Sequence, residues 1–328
     1  MKIAFFSSHE FEHQSIIEAN NDKHNLVFIA MALSEKTIHL AKECQAICIF
    51  VNDKTDAEIL KKLQKIGIKF IALRSAGFNH IDLVAAKNLG FKLARVPEYS
   101  PFSVAEHSIA LMLALNRKLI HAHNRINELN FSLDGLVGFD MHNKTVGIIG
   151  TGKIGQQMAK IIHGFGCKIV AYDVVENENL KCNYAVTYVH LNTVFTNSDI
   201  ITLHIPLSSK TKYIINKKTI DMMKKGVMLI NTSRGALIDT AAVIEGIKSE
   251  KVGYFGMDVY EDESGLFFED HSQSVLQDDI FARLMSFQNV LITSHQAFLT
   301  QTSLQNIAAT TIHNLDCFEK NTVSGNEL

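Results

Sequence analysis

The first hundred residues alternate short apolar runs, rich in β-branched residues, with amphipathic stretches. Apolar residues at three- and four-residue spacing in TDAEILKKLQKIG and NHIDLVAAKNLG predict helices. The intervening apolar runs predict strands: KIAFFSS, LVFIA, AICIFVN, KFIALRSAG and FKLARVP. Strands that alternate with helices in this way predict an α/β domain with a parallel sheet.

One unusually apolar stretch follows, PFSVAEHSIALMLALNRKLIHAHNRI. Pro101 suits the first turn of a helix, and the apolar positions continue at helical spacing behind it. The pattern therefore predicts one long helix. Its rich apolar stripe indicates burial between domains or subunits.

A second alternating series begins after the stretch FSLDGLVGFDMHNK. Its predicted strands are TVGIIG, CKIVAYD, SDIITLHIPL, GVMLINTS, VGYFGMDVY and NVLITSH, and helical patterns separate most of them. The last strand is followed by the helical stretch TSLQNIAATTIHNLDCFEK. Because compact chains usually close near where they began, we expect this helix to return to the first domain.

Composition narrows the possible functions. With 328 residues, 47% of them hydrophobic, the chain exceeds a single compact core, so two domains are expected. The 32 basic and 34 acidic residues give a net charge of −2 without a basic stripe, which argues against nucleic acid and anionic membrane partners and favours a small molecule.

Cysteine usage and the amino-terminal sequence bear on the compartment. The five cysteines are odd in number and form no CxxC pair, which argues against a disulfide framework and a zinc site. No secretory h-region is visible, and the longest apolar run, 109–115, is too short to span a bilayer. We therefore expect a cytoplasmic protein.

The stretch GIIGTGKIG contains the spacing G-x-G-x-x-G at Gly150, Gly152 and Gly155. Glycines at this spacing also occur in ordinary turns, but here they follow an apolar strand and open a helical pattern. Gly150 can form the tight turn, Gly152 allows a pyrophosphate to approach the backbone, and Gly155 allows the helix to pack closely on the strand. The context predicts a dinucleotide site.

An acidic residue is expected at the end of the next strand, about 20 residues further on, where it would bind the adenine ribose. Asp173 closes KIVAYD at that place. No arginine follows it that could pair with a 2′-phosphate. The sequence therefore favours NAD over NADP.

Three charged or titratable side chains follow strands of the second series: Arg234 after GVMLINTS, Glu263 after VGYFGMDVY and His295 after NVLITS. A guanidinium can grip a carboxylate through two parallel hydrogen bonds, and an imidazole can exchange a proton with a carbonyl or hydroxyl oxygen. A neighbouring carboxylate favours the imidazolium and orients its ring. These residues predict hydride chemistry on a small keto or hydroxy acid, with no need for a metal.

Each of these residues has an ordinary structural alternative. An arginine or a histidine at a strand end is often only an ion pair or a hydrogen-bonded structural group. Glu263 lies in an acidic run, where Glu261 or Asp262 could equally point inward. The residues alone leave this choice open.

The motifs TVGIIGTGKIG, LHIPL, INTSRGALID, GMDVYE and TSHQAFLT occur in an order and spacing that resemble the D-isomer-specific 2-hydroxyacid dehydrogenase family. The resemblance extends over nearly the whole chain. Further stretches resemble its fermentative D-lactate dehydrogenase branch: IFVND, FIALRSAGFNHID, VAEHSIALMLALNR, NFSLDGLVGFDM and LFFEDHS. One departure is SHQAF around the histidine, where the wider family often has PHIA.

The resemblance implies a role for individual residues. Arg234 would bind the substrate carboxylate, His295 would be the acid and base, and Glu263 would support the histidine, which selects it over its acidic neighbours. Cofactor contacts are implied for Lys153, Ile154, Asp173, Ile205, Pro206, Thr232, Ser233 and Asp258. The backbone of Ser75, Ala76 and Gly77 would bind the carboxylate, and Tyr99 and Phe298 would shape the substrate pocket.

The resemblance also implies an architecture and an activity. It implies two Rossmann-like or flavodoxin-like parallel-sheet domains with the active-site cleft between them: a substrate domain of residues 1–100 and 299–328, and an NAD-binding domain of residues 101–298. The long helix near 101–122 would form a dimer and domain interface, so a homo-oligomer is expected.

The activity expected from the resemblance is the reversible reduction of pyruvate to D-lactate by NADH. Two alternatives stay open. One is a dehydrogenase for another D-2-hydroxy acid, acting on hydroxypyruvate or a branched-chain keto acid. The other is a dinucleotide-sensing protein that resembles corepressors.

Overall fold

A computed structural model describes residues 1–328 and divides them into two compact units. The first unit comprises Met1–Ser100 and Phe298–Leu328, and the second comprises Pro101–Ala297. Each unit has its own parallel sheet.

The first unit contains a five-stranded sheet in the order β2-β1-β3-β4-β5, with every neighbouring pair parallel. Its strands are β1 (Lys2–Phe5), β2 (Asn25–Phe28), β3 (Ala46–Ile49), β4 (Phe70–Leu73) and β5 (Lys92–Arg95). The strands β3 and β4 are buried along their whole length, which explains why they read as continuous apolar runs.

Helices cover both faces of this sheet, as parallel strands require. They are α1 (Glu10–Asn20), α2 (Ala57–Lys65), α3 (Leu83–Asn88) and, from the end of the chain, α12 (Gln301–Glu319). Helix α12 packs against α1, and its buried Ile312 and Leu315 join Ile3 and Phe5 of β1 in one apolar cluster. The end of the chain is thereby part of the first unit.

The second unit contains a seven-stranded parallel sheet in the order β12-β11-β10-β9-β6-β7-β8. Its strands are β6 (Thr145–Ile149), β7 (Lys168–Tyr172), β8 (Val186–Tyr188), β9 (Ile200–Leu203), β10 (Val227–Asn231), β11 (Val252–Met257) and β12 (Val290–Ile292). Strand order reverses between β6 and β9. In open α/β sheets, ligands bind outside the carboxyl ends of the strands at such a reversal.

The helices of the second unit are α4 (Pro101–Asn116), α5 (Leu119–Asn127), α6 (Lys153–Gly164), α7 (Glu178–Tyr184), α8 (Leu191–Asn197), α9 (Lys217–Met222), α10 (Thr240–Lys248) and α11 (Asp279–Met285). Helix α4 packs on β10, β11 and α6. Gly256 of β11 permits this contact, because a Cβ there would lie 3.1 Å from the side chain of Leu115 and 3.3 Å from that of Leu111.

Three details of the sequence prediction are corrected. The single long helix is wrong: α4 ends at Asn116, and Lys118 takes a left-handed conformation before α5. The side chain of Asn116 binds the backbone of Phe139 in both directions, at 2.7 and 2.8 Å, so tertiary hydrogen bonds favour the break. The three-residue strand β8 was not predicted, since so short a run carries little pattern.

The boundary at residue 298 also differs by one position. Phe298 belongs to the first unit, because its ring contacts those of Phe11, Phe50 and Tyr99 at centroid distances of 6.2 to 6.4 Å. No helix combines the length and the apolar composition needed to cross a bilayer. All five cysteines are free thiols.

Candidate active site

The glycine motif forms the turn between β6 and α6. Gly150 has φ +94°, and a Cβ there would overlap the backbone carbonyl of His204. A Cβ on Gly155 would overlap the carbonyl oxygen of Gly150, so the helix lies directly on the turn. Gly152 is the N-cap of α6 and has open space around its Cβ position. Open backbone at a helix N-terminus is the arrangement that receives a pyrophosphate.

Asp173 lies at the carboxyl end of β7 beside this turn. Its Oδ2 accepts hydrogen bonds from the backbone N–H of Thr151 at 2.6 Å and from the Thr151 hydroxyl at 3.1 Å. That hydroxyl accepts in turn from the hydroxyl of Tyr188 at 2.9 Å. The carboxylate is therefore held next to the glycine turn, as a ribose-binding acid should be.

The end of β9 closes the other side of the turn. The backbone N–H of His204 donates to the carbonyl of Ile149 at 2.8 Å, and its ring Nε2 lies 2.9 Å from the hydroxyl of Thr202. Burial lowers the pKa of His204 to about 3, so the ring is neutral at physiological pH. Ile205 is partly buried against the apolar core, whereas Pro206 is exposed.

Arg234 follows β10 at the same edge of the sheet. The loop before it is fixed by its own side chains: the Ser233 hydroxyl donates to the carbonyl of Leu203 at 2.7 Å, and the buried Thr232 hydroxyl lies 2.8 Å from that of Ser108. The Arg234 guanidinium donates from Nη1 to the carbonyl of Ser233 at 2.6 Å. Its Nε and Nη2 make no hydrogen bond within the protein, so they can bind an anion.

The loops after β10 and β11 meet directly behind Arg234. A Cβ on Gly235 would overlap the backbone of Tyr260 and Glu261, so only glycine permits this approach. The contact places the arginine loop against the acidic run after β11.

The acidic run separates into two roles. Glu261 accepts hydrogen bonds from the hydroxyl of Tyr213 at 2.7 Å and from the backbone N–H of Thr240 at 3.1 Å. Glu263 instead places Oε1 3.0 Å from Nδ1 of His295, and its Oε2 accepts from the backbone N–H of Tyr260 at 3.2 Å. The structure thus pairs Glu263, and not Glu261, with the histidine.

The histidine pair is partly shielded from water. The side chains of His295 and Glu263 are 16% and 20% exposed, and the ring of Phe268 lies 5.8 Å from the imidazole. Because Nδ1 is bound to the carboxylate, Nε2 is the ring nitrogen that can exchange a proton. No hydrogen bond within the protein occupies Nε2.

Asp258, at the end of β11, anchors the loop that carries His295. The backbone N–H of Gln296 donates to its Oδ1 and that of Ala297 to its Oδ2, both at 2.8 Å, and the N–H of His295 donates to its carbonyl at 2.7 Å. Burial alone would raise the pKa of Asp258, but hydrogen bonds, including those from the Thr293 hydroxyl and the backbone of Ala297, lower it below the ordinary value. Asp258 is therefore a buried carboxylate that shapes the loop, and its contact with a cofactor stays a prediction.

The predicted residues of the substrate pocket lie in the first unit, whereas Lys153 and Ile154 begin helix α6 of the second unit. The buried Ser75 donates its hydroxyl to the carbonyl of Gly77 at 2.7 Å, and Arg95 donates to the carbonyl of Ala76 at 2.6 Å. These bonds fix the loop after β4, while the N–H groups of Ala76 and Gly77 donate to no group of the protein. Tyr99 contacts the Phe298 ring and accepts at its carbonyl from Asn306 at 2.6 Å.

Sequence reasoning missed four residues of this region: His107, Thr151, Tyr188 and Thr293. Thr151 lies inside the glycine motif and Thr293 lies two residues before His295, so proximity was an available signal. His107 is one of the few charged or titratable residues of the mainly apolar helix α4, which was a second signal. Tyr188 could not be found, because its partner Thr151 is 37 residues away.

Comparison with known proteins agrees with this geometry. Residues 109–297 match the family described as D-isomer specific 2-hydroxyacid dehydrogenase, NAD binding domain. The chain is 48% identical over 329 residues to a D-lactate dehydrogenase of Escherichia coli, covering 100% of both chains. The chain belongs to the D-isomer specific 2-hydroxyacid dehydrogenase family. It is an NAD-dependent oxidoreductase, as the resemblance of its motifs predicted.

Solved structures of this dehydrogenase family share the fold along the whole chain. A structure described as the pyruvate reductase of Chlamydomonas reinhardtii has 43% sequence identity and a TM-score of 0.94, covering 99% of this chain and 98% of that one. A D-lactate dehydrogenase of Aquifex aeolicus, complexed with NAD and lactic acid, has 34% identity and a TM-score of 0.88, with the same two coverages. The predicted class of two parallel-sheet α/β domains and the NAD cofactor are both confirmed.

Proposed function

We propose that this dehydrogenase catalyses the reversible reduction of pyruvate to D-lactate by NADH. The observation that carries the proposal is the pair formed by His295 and Glu263, 3.0 Å apart, with the second ring nitrogen free. The loop of Arg234 lies against the acidic run that contains Glu263. An anion-binding guanidinium and a proton-exchanging imidazole at one sheet edge suit a 2-keto acid.

The residues of the β6–α6 turn fit the dinucleotide. Gly152 leaves open space for a pyrophosphate at the N-terminus of α6, and Gly150 and Gly155 permit the tight turn and the close helix packing that form this site. Lys153 and Ile154 lie in the first turn of α6, and Asp173 would bind the ribose. The nicotinamide, when bound, supplies the hydride or accepts it. Further contacts are proposed, on the resemblance, for Ile205, Pro206, Thr232, Ser233 and Asp258.

His295 moves the proton in this proposal. Its Nε2 donates a proton to the carbonyl oxygen of the keto acid during reduction and removes it during oxidation. Glu263 orients the ring through Nδ1 and balances the positive charge of the imidazolium. Both groups are held on loops anchored to neighbouring strands, β11 and β12, so little reorganisation accompanies the transfer.

Arg234 holds the carboxylate of the substrate. The two guanidinium nitrogens without a partner, Nε and Nη2, can donate two parallel hydrogen bonds to one carboxylate. We propose that the amides of Ala76 and Gly77, next to Ser75, bind the same carboxylate and that Tyr99 and Phe298 limit the size of the substrate side chain. The cleft in which the two sets would meet stays a prediction from the resemblance.

We also propose that the protein is a homo-oligomer of the cytoplasm. Large apolar side chains are exposed together on α5 and the loop after it: Leu119, Ile120, Ile126, Leu129, Phe131, Leu133 and Val137. A patch of this kind marks a protein interface, and a second copy of the chain is its proposed occupant. Light scattering should show more than one chain per particle, and Phe131→Asp should lower the mass.

The activity is tested by following NADH absorbance with a panel of keto acids. Pyruvate should give the highest kcat/KM, and the product should be oxidised by an enzyme specific for D-lactate and not by one specific for L-lactate. A higher kcat/KM for hydroxypyruvate or a branched-chain keto acid would show that pyruvate is not the preferred substrate, while the proposed hydride and proton transfer would still hold. Tight NADH binding without turnover of any keto acid would contradict the enzymatic proposal.

A further inference from the structure

His107 is a polar side chain on the apolar helix α4 that the proposed reaction does not use. The nearby residues Val104, Ile109 and Leu111 of the same helix are buried, and the side chain of His107 is 18% exposed. The ring Nε2 lies 2.9 Å from the hydroxyl of Thr293 and 3.5 Å from Oδ1 of Asp258. The side chain therefore points to the anchor of the loop that carries His295.

The hydrogen bonds of this group have a fixed direction. The Thr293 hydroxyl lies 2.6 Å from Oδ1 of Asp258, and the carboxylate, which also receives two backbone N–H groups, can only accept there. A hydroxyl has one hydrogen, so Thr293 accepts from His107. The chain of donors runs from His107 through Thr293 to Asp258.

The loop beyond Asp258 needs such support. His295 has φ +50°, in the left-handed region that L side chains rarely adopt. The N–H groups of His295, Gln296 and Ala297 all donate to Asp258, which holds this conformation. Any rotation of the Asp258 carboxylate would weaken two of these bonds at once.

We propose that His107 is a positioning residue for His295, acting through the Thr293 hydroxyl and the Asp258 carboxylate to hold the catalytic loop in its left-handed conformation. The proposal rests on the role of His295 given above. It assigns to helix α4 a function beyond packing, because the donor that completes the loop comes from that helix.

Two substitutions at His107 separate positioning from packing. His107→Phe fills the space but removes the donor, and kcat for pyruvate should fall about tenfold, the cost of one buried hydrogen bond. His107→Gln keeps an N–H donor near the Nε2 position and should stay within about twofold of the unsubstituted protein. The exposed His190→Gln is the matched control and should leave kcat unchanged. Equal losses in the Phe and Gln variants would overturn the proposal.

A second readout needs neither substrate nor cofactor. Hydrogen exchange of the segment 293–297 in the ligand-free protein should accelerate about tenfold in His107→Phe, because the amides of Gln296 and Ala297 lose a well-held acceptor. Exchange in α4 itself should remain unchanged. Unchanged exchange at 293–297 would show that the loop is held without His107.

A double-mutant cycle tests the route through Thr293. Thr293→Val removes the hydroxyl that links the other two groups, so adding His107→Phe should cause no further loss of kcat. Additive losses would contradict a shared route. Should His107→Phe not fold, Thr293→Val carries both readouts, and normal kcat and exchange there would overturn the proposal.

These outcomes are distinct from failure of the proposed function. An active His295→Gln variant would remove the role of His295, while the exchange measurement would still report on His107 and the loop. An inactive His295→Gln with an unaffected His107→Phe would overturn only the positioning role.

Discussion

Glu263→Gln isolates the charge of the carboxylate next to His295, the proposed acid and base. A glutamine can still accept a hydrogen bond from Nδ1 of His295 through its amide oxygen, so the ring keeps its orientation while the negative charge is lost. The contact measures 3.0 Å, and the two side chains are 16% and 20% exposed. The substitution therefore changes charge in a partly shielded site.

The size of the effect follows from these values. Two unit charges about 3 Å apart attract by about 5–6 kcal/mol at an effective dielectric constant of about 20. Residual exposure screens the pair, so we expect about 2–3 kcal/mol of transition-state stabilisation to be lost. That corresponds to a decrease in kcat of between about 30-fold and about 150-fold.

The assay is steady-state pyruvate reduction with NADH, together with NADH binding by fluorescence. Glu261→Gln is the matched control, since that carboxylate binds Tyr213 and the Thr240 amide instead of the histidine. The control should retain kcat within about threefold, and both variants should bind NADH normally. A Glu263→Gln variant with kcat as high as the control would refute the reasoning.

Three further predictions concern other parts of the second unit. Arg234→Lys should raise the KM for pyruvate about tenfold or more in steady-state kinetics, because a point charge cannot reproduce two parallel hydrogen bonds. An unchanged KM would show that Arg234 does not bind the substrate carboxylate. Asp173→Asn should raise the KM for NADH about tenfold and reduce the preference for NADH over NADPH, since the ribose loses a charged acceptor. An unchanged preference would show that other residues select between the two cofactors. Burial lowers the pKa of His204 to about 3 in the folded protein, against about 6.5 in the unfolded chain. The unfolded chain therefore takes up a proton first as the pH falls below about 6.5, and the free energy of unfolding should decrease by about 2 kcal/mol at pH 5. In urea unfolding, the free energy of unfolding of His204→Gln should decrease less between pH 7 and pH 5 than that of the unsubstituted protein. An equal decrease in both proteins would contradict burial of the neutral ring.

The strands and the glycine turn were predictable because their signals are local. Apolar runs such as TVGII and the three glycines carry their constraints within ten residues. The break between helices α4 and α5 at Lys118 was not predictable, because the side chain of Asn116 binds the backbone of Phe139, which lies far along the chain. Tertiary hydrogen bonds override helical periodicity there.

The candidate site shows the same division. Strand ends identified Arg234 and His295, because parallel strands bring their carboxyl ends to one edge. The choice among the acidic residues after β11 was left open by the residues, since it depends on where Tyr213 and the Thr240 amide lie in space. The partner of His107 could not be read from the sequence either, because Thr293 lies 186 residues further along the chain.

The central claim is that His295 exchanges the proton while hydride is transferred. It is tested most directly by a single turnover of His295→Gln, with NADH and saturating pyruvate mixed in a stopped-flow instrument. The account predicts normal NADH binding and a hydride-transfer rate lower by about a thousandfold or more, as expected for loss of a general acid. A rate within tenfold of the unsubstituted protein would contradict it.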